Sequence, residues 1–192
     1  MTVARMLRTP PRRRREKLTD YRYRLKIIKS SIPRLVVRRT NRAIIAQIIQ
    51  PKIGGDRCVT TVTSKMLSRY GWKGSPKNIP AAYLTGLLVG CLAKKAGVGE
   101  AVMDLGLHRP VAGSRLFAVV KGARDAGLSV PFSENVAPSE ERLRGDHIKT
   151  YFEMVGGRPG VVQFSRCDPS GYAAMEIMIE EVKARILGGA GR

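Results

Sequence analysis

Acidic residues are scarce in this 192-residue chain: 15 Asp and Glu stand against 35 Lys and Arg, a net charge of +20. Such an excess repels itself in a compact fold unless a polyanion neutralises it. Nucleic acid is the commonest polyanion, because each neutralised phosphate releases condensed counterions; an anionic membrane surface is the second candidate. Histidine and cysteine are scarcer still. His108 and His147 lie far apart, and neither has a Cys or His at the spacing of a zinc site. Cys58, Cys91 and Cys167 are odd in number, widely separated and without a CxxC pair, so they read as small core residues in a reducing cytosol.

Long apolar runs are missing too. The longest uncharged run, Asn78 to Ala93, contains Pro80, Thr85 and two glycines and falls short of the roughly 18–20 residues that span a bilayer. It reads as a buried core helix. Met1 to Arg15 has no apolar stretch after its charges, which excludes a signal peptide.

Enzyme signatures are absent. There is no GxxxxGK[ST] loop, Gly97-Val98-Gly99 lacks the third glycine of a dinucleotide fingerprint, and Ser114 stands in Gly113-Ser114-Arg115 rather than in GxSxG. Asp56, Glu100 and Asp104 invite a two-metal nuclease reading. Yet Glu100 and Asp104 on one strand would sit roughly 13 Å apart at ~3.3 Å per residue, whereas paired metals sit ~4 Å apart. The chain is therefore read as non-enzymatic, without cofactor, metal or small-molecule substrate.

What is present is concentrated at one end. Residues 1–42 hold twelve Arg and three Lys against Glu16 and Asp20 alone, a net of +13, leaving +7 for the other 150 residues. Arg dominates, and its planar fork suits bidentate phosphate contacts. Residues 1–16 read as an extended arm, because Pro10 and Pro11 oppose a helix and Arg12-Arg13-Arg14-Arg15 repel one another. Nothing apolar ties the arm to the body, so it is expected to order only on binding. A helix capped by Thr19 or Asp20 should run to about Ser30. Leu18, Tyr21, Leu25 and Ile28 form its apolar stripe, with Arg22, Lys26 and Lys29 alongside.

Three strands follow, Arg34 to Arg39, Ala43 to Ile49 and Arg57 to Thr63, joined by Thr40-Asn41-Arg42 and by a Gly54-Gly55 turn. Short turns suggest an antiparallel meander. Period two puts Arg34 and Arg38 on one strand face and Arg39 on the other. Helices then dominate: a short one capped by Ser64, the buried helix from Ile79 to Ala96, and one from Ser114 to Ala126 after a covered strand in Glu100 to Leu105. The fold class is α/β, a mixed sheet begun by the meander, with packed helices, a basic N-terminal extension and a helical C-terminal extension. Three regions are expected: arm and helix over 1–30, an α/β core over 31–130, and helices over 131–192. In the last, 138–156 gives one or two helices broken near Gly145, and 157–171 a linker. Tyr172, Met175, Ile179, Val182 and Ile186 then mark an amphipathic helix, to dock on the body or on a partner protein. Its outer side carries Glu176, Glu180 and Glu181 and is not a polyanion-binding surface.

Arm, helix face and hairpin are contiguous, basic and interleaved with Tyr21 and Tyr23, which offer stacking faces for unpaired bases. Against a membrane anchor, the apolar stripe of residues 18–28 is short and lacks Trp and Phe. Ordered motifs carry a resemblance over residues 5–150. They are Arg12-Arg13-Arg14-Arg15-Glu16, Thr19-Asp20-Tyr21-Arg22, Pro33-Arg34-Leu35-Val36-Val37-Arg38, Tyr70-Gly71-Trp72-Lys73-Gly74, Glu100-Ala101-Val102-Met103-Asp104-Leu105-Gly106-Leu107 and Arg144-Gly145-Asp146-His147-Ile148.

The chain resembles the archaeal ribosomal proteins counted eighteenth on the bacterial large subunit, whose eukaryotic relative binds 5S RNA. The resemblance implies a central α/β domain, attachment to 5S rRNA and to large-subunit rRNA in the central protuberance, and a cytoplasmic place in the large subunit. It also implies neighbouring large-subunit proteins, the other 5S-binding ribosomal protein among them. Carried onto this chain, the RNA contacts would be Arg12, Arg13, Arg14, Arg15, Tyr21, Arg22 and Arg24, with Lys17 and Lys26 on the same segment. The first strand and its turn would add Arg34, Arg38, Arg39, Asn41 and Arg42, and the body Lys73 and Arg115.

Overall fold

The computed structural model describes residues 9–52, 54–155 and 175–189. The arm residues before 9, the expected linker over 157–171, Tyr172 and Cys167 lie outside them. The fold is mixed α/β. Its four-stranded sheet has the order β3-β2-β1-β4, with β1 Arg34–Arg39, β2 Ile44–Gln50, β3 Arg57–Thr63 and β4 Val102–Asp104. β1 pairs antiparallel with β2, and β2 with β3, while β4 runs parallel to β1. The β1–β2 turn is closed by Thr40, whose hydroxyl accepts the Ala43 amide at 2.9 Å.

The sheet buries one face. Leu35 and Val37 of β1, Ala46 and Ile48 of β2, and Val62 of β3 are inaccessible to solvent. On the opposite face Arg38, Gln47 and Thr61 remain at least partly exposed, whereas Arg34 and Val36 of β1 are buried there too. The alternation along β2 is what a strand covered on one side gives, while the start of β1 is enclosed from both sides.

The cover is helix α3, Ile79–Lys95, with thirteen of its seventeen residues buried, so it lies inside the molecule rather than on it. Asn78 caps it by accepting the Ala81 amide at 2.9 Å, and Pro80 occupies the first turn, where its missing N–H costs nothing. Helix α4, Arg115–Asp125, lies against α3 so closely that a methyl group on Gly86 would strike the Val119 carbonyl, and one on Gly122 the Tyr83 carbonyl. Backbone meets backbone here, and glycine alone permits it.

Two short helices, α5 Glu140–Arg144 and α6 Asp146–Val155, are separated by Gly145 at φ +82°, the break expected near that glycine. Helix α7, Met175–Gly189, buries Met175, Ile179, Val182 and Ile186 in the same core as α3. Between body and partner protein, its apolar face has chosen the body. Arg185 also donates to the Tyr70 carbonyl at 3.1 Å.

Several local expectations are corrected. Arg12–Arg15 is one helical turn, α1, not extended chain. Proline is compatible with a helix start, where its absent N–H is one of the orphans, and Glu16 supplies the missing counter-charge by an ion pair to Arg12 at 2.9 Å. Helix α2, Tyr21–Ile28, does not bury the stripe read from spacing: Leu18 and Leu25 are more than half exposed, and Ile27 is its buried residue. Ser64 does not cap its segment, a 3₁₀ helix over Ser64–Tyr70; its buried hydroxyl accepts the Ile44 amide at 3.0 Å instead. Cys58 is exposed rather than core, while Cys91 is buried.

The close helix pair yields a stability test. Gly86→Ala and Gly122→Ala should each destabilise the chain by roughly 1–3 kcal/mol or more through overpacking, read as a lower midpoint in urea unfolding. Gly99→Ala, where an added methyl meets nothing within 4 Å, is the control and should leave that midpoint nearly unchanged.

Candidate nucleic-acid interface

The sheet face opposite α3 is where the basic segments meet. Asp20 caps α2, its carboxylate accepting the Arg22 and Tyr23 amides at 2.9 and 3.1 Å. The turn from α1 into α2 is made by Lys17 at φ +53°, a left-handed position that glycine usually fills. There the Leu18 amide donates to the Arg13 carbonyl at 2.9 Å and the Lys17 amide to Arg14 at 3.1 Å, the crossed pair of bonds that ends a helix. A lysine held in this conformation is a modest local strain of the kind found at functional segments. Arg13 reinforces the turn, its Nε donating to Thr19 Oγ1 at 2.9 Å.

Helix α2 is fastened to the sheet by charge. Arg24 Nη2 and Arg34 Nη2 both approach Asp56 Oδ2 at 2.6 Å, and Arg34 Nη1 reaches Asp104 Oδ2 at 2.7 Å. Asp104 also accepts the Gly106 amide at 2.9 Å through its other oxygen. Two guanidinium groups and two carboxylates thus form one neutral cluster joining α2, β1, β4 and the turn before β3.

This arrangement corrects the reading of Arg34 as a solvent-facing contact. Its side chain is 5% exposed and already held by two carboxylates, so it supports the surface from beneath. Asp56 and Asp104, considered above as metal ligands with Glu100, converge on this arginine instead, and Glu100 is exposed elsewhere. The guanidinium Nε of Arg34 is buried without a partner, a cost the ion pairs must outweigh.

Between the arm segment, the sheet and the loop after β4 lies a cleft of about 360 Å³. Arg13, Lys17, Arg24, Arg34 and Arg38 all line it. Arg38 Nη1 donates to Gln47 Oε1 at 2.8 Å, and Gln47 Nε2 donates to Thr61 Oγ1 at 3.1 Å, so a polar row continues across the open face. Arg39, Asn41 and Arg42 are exposed at the adjoining hairpin end.

His108 stands at the same end of the cleft. Its pKa is pushed down, first by burial and then by the positive field of Arg39 and Arg38. Tyr23 lines the cleft as well, its phenol pKa raised by burial and then by Asp104.

Other expected residues stand apart. Arg14, Tyr21 and Arg22 border a second recess that shares Thr19 and Asp20 with the cleft, and Arg12, Arg15 and Lys26 are exposed on α1 and α2. Lys73 and Arg115 line neither place; Arg115 donates to the Lys77 carbonyl at 2.9 Å and Lys73 is exposed in the loop after Trp72. Sequence reasoning missed Gln47, Thr61 and His108 as members of the surface. The alternation of β2 and β3 could have found the first two, since they share a face with Arg38; nothing local marks His108.

Because the cluster is largely buried and closes on both carboxylates, removing one partner strands a charge. Asp104→Ala should cost on the order of 3 kcal/mol, read in urea unfolding. Glu16→Ala, which removes the exposed Arg12 pair, should cost under ~1 kcal/mol.

The family model of ribosomal large subunit proteins 60S L5 and 50S L18 matches residues 5–99 and 92–133. The chain is also similar to the large ribosomal subunit protein uL18 of Methanoregula boonei, 50% identical over 145 residues, which cover 76% of this chain and 83% of that protein. With more than half of its length matched by the model and half of the aligned residues shared with that relative, the chain belongs to the family of ribosomal large subunit proteins 60S L5 and 50S L18.

Proposed function

We propose that this protein is a structural, non-catalytic constituent of the large ribosomal subunit that binds 5S rRNA. Its place is the central protuberance, where it helps to attach 5S rRNA to the large-subunit rRNA. Neighbouring large-subunit proteins, including the other 5S-binding ribosomal protein, are its protein partners, and the cytoplasmic ribosome is its location. Membership of the family supports the ribosomal part of this reading.

The RNA part is carried by one observation. Cations from segments up to 25 residues apart, Arg13, Lys17 and Arg38, line one cleft on the sheet face opposite α3, and Arg39 and Arg42 are exposed at the hairpin end. Phosphate contacts at such a surface position the protein on its RNA, and exposed Tyr and Arg planes can stack on unpaired bases. Arg12, Arg14, Arg15, Arg22 and Lys26 extend the surface along α1 and α2. Arg34 and Arg24 hold it in shape through Asp56. No helix among the described residues is long and apolar enough to cross a membrane.

Binding of purified 5S rRNA should weaken steeply with salt, because each neutralised phosphate contributes a log–log slope of roughly −0.7 to −0.9. Replacing Arg12, Arg13, Arg14 and Arg15 by Ala should weaken binding and make that slope shallower by about two to four, with the circular dichroism melt of the body retained. A wild-type affinity that is flat between low and physiological salt would contradict the reading.

His108 offers an independent check. In the free chain its imidazole should titrate below its ordinary value of 6.5. RNA phosphates brought near it favour the charged form and raise that value. Binding should therefore take up a proton, tighten as the pH falls from 7.5 to 6, and lose this dependence in His108→Gln. Imidazole NMR titration with and without 5S rRNA reads both effects.

A further inference from the structure

The basic cleft has an apolar interior that phosphate binding does not explain. Leu18 at 55% exposure and Leu107 at 57% are both cleft-lining leucines left open to solvent, and Tyr23, at 40%, joins them. Beneath them lie Val36 and Ile49 of the sheet. Large exposed apolar side chains gathered in one place mark a binding surface rather than chance. Here they are gathered within the most basic part of the molecule.

Charge decides what the surface takes. Five cations and the carboxylates of Asp20, Asp56 and Asp104 line the cleft. Each carboxylate is already occupied: Asp20 by the amides it caps, Asp56 by Arg24 and Arg34, Asp104 by Arg34 and the Gly106 amide. What remains is positive and sits with Arg13, Lys17 and Arg38. A ligand matched to this site has a flat apolar face joined to negative charge. At about 360 Å³ the cleft lies in the size range of small-ligand pockets and is too small for a duplex. An unstacked base with its phosphates has both properties, and single-stranded RNA is held by this pairing of stacking faces and cations.

Resting on the RNA-binding reading above, we infer that this cleft receives an unpaired nucleotide of the bound RNA. Its base lies against Tyr23, Leu18 and Leu107, and its flanking phosphates lie on Arg13, Lys17 and Arg38. The Asp56–Arg34–Asp104 cluster forms one wall and keeps the arm segment at a fixed distance from the sheet.

The test uses the full chain and 5S rRNA, with affinity measured at several salt concentrations. Tyr23→Ala should weaken binding roughly five- to a hundredfold, the range for loss of one base–aromatic stack. Leu107→Ser, an exposed loop change that spares α2, should weaken it by several-fold. Neither variant changes charge, so both should keep the wild-type salt slope, whereas Arg38→Ala should flatten it by about one. Tyr151→Ala, an exposed tyrosine of α6 outside the cleft, should behave as wild type. Ultraviolet cross-linking of the wild-type complex should join the Tyr23 peptide to a nucleotide unpaired in the RNA. Wild-type binding with Tyr23→Ala and Leu107→Ser both at full affinity would overturn the inference, leaving the leucines to a protein neighbour. So would a cross-link to a base-paired nucleotide. Failure of the wild-type chain to bind 5S rRNA would instead overturn the reading on which it rests.

Discussion

The guanidinium of Arg34, buried in the sheet and gripped by Asp56 and Asp104, is the contact on which the basic surface depends. Arg34 belongs to β1, Asp104 to β4, and Asp56 to the turn that opens β3, so one side chain ties together three parts of the sheet. Asp56 carries the connection outward to Arg24 and with it the whole of α2. An isolated charge in this place would be untenable. Two cations against two carboxylates make it neutral, and the geometry that satisfies them admits little variation. Helix α2 is joined to the body by one buried apolar residue, Ile27, and by the Arg24–Asp56 pair.

The remainder of the molecule divides cleanly by chemistry. One side of the sheet is apolar and closed by α3, which in turn is covered by α4 and α7. The backbone contact at Gly86 and Gly122 brings α3 and α4 together without room for side chains between them. The other side is polar and basic, and it is open around Arg38, Gln47 and Thr61, whereas Arg34 and Val36 on the same side are buried. Exposed Glu176, Glu180 and Glu181 place acidic groups on α7, on the helical side of the fold. A rigid apolar half thus presents a cationic half in a fixed shape, the arrangement expected of a protein that positions itself on a folded polyanion.

Much of the architecture was legible before any coordinate. β1 and β3 were read to their ends because β-branched runs between turn residues leave few alternatives, and α3 because an uncharged stretch of its length has nowhere to go but inside. Asp20 as a cap and Gly145 as a break followed from single-residue chemistry. Two of the readings that failed, the stripe of α2 and the exposure of Arg34, share a cause. The stripe through Leu18 and Leu25 assumed that apolar spacing sets the buried face of α2, but the helix buries Ile27 and joins Arg24 to Asp56. Arg34 looked like its neighbours Arg38 and Arg39, and only the approach of two distant carboxylates makes it a buried strut.

Composition by itself determined that the leading quarter seeks negative charge, and periodicity determined which strand residues face a core. Both are local properties, written in side-chain identity and in the two- and 3.6-residue repeats of the backbone. Tertiary structure alone decided which arginines are offered to solvent and which are consumed inside. It also decided that Leu18, Tyr23 and Leu107 border the same cleft. Asp56 lies 22 positions from Arg34, and Asp104 lies 70. No repeat of the chain encodes such separations, because they are set by how the sheet closes and by the low tolerance of its interior for an unpaired charge.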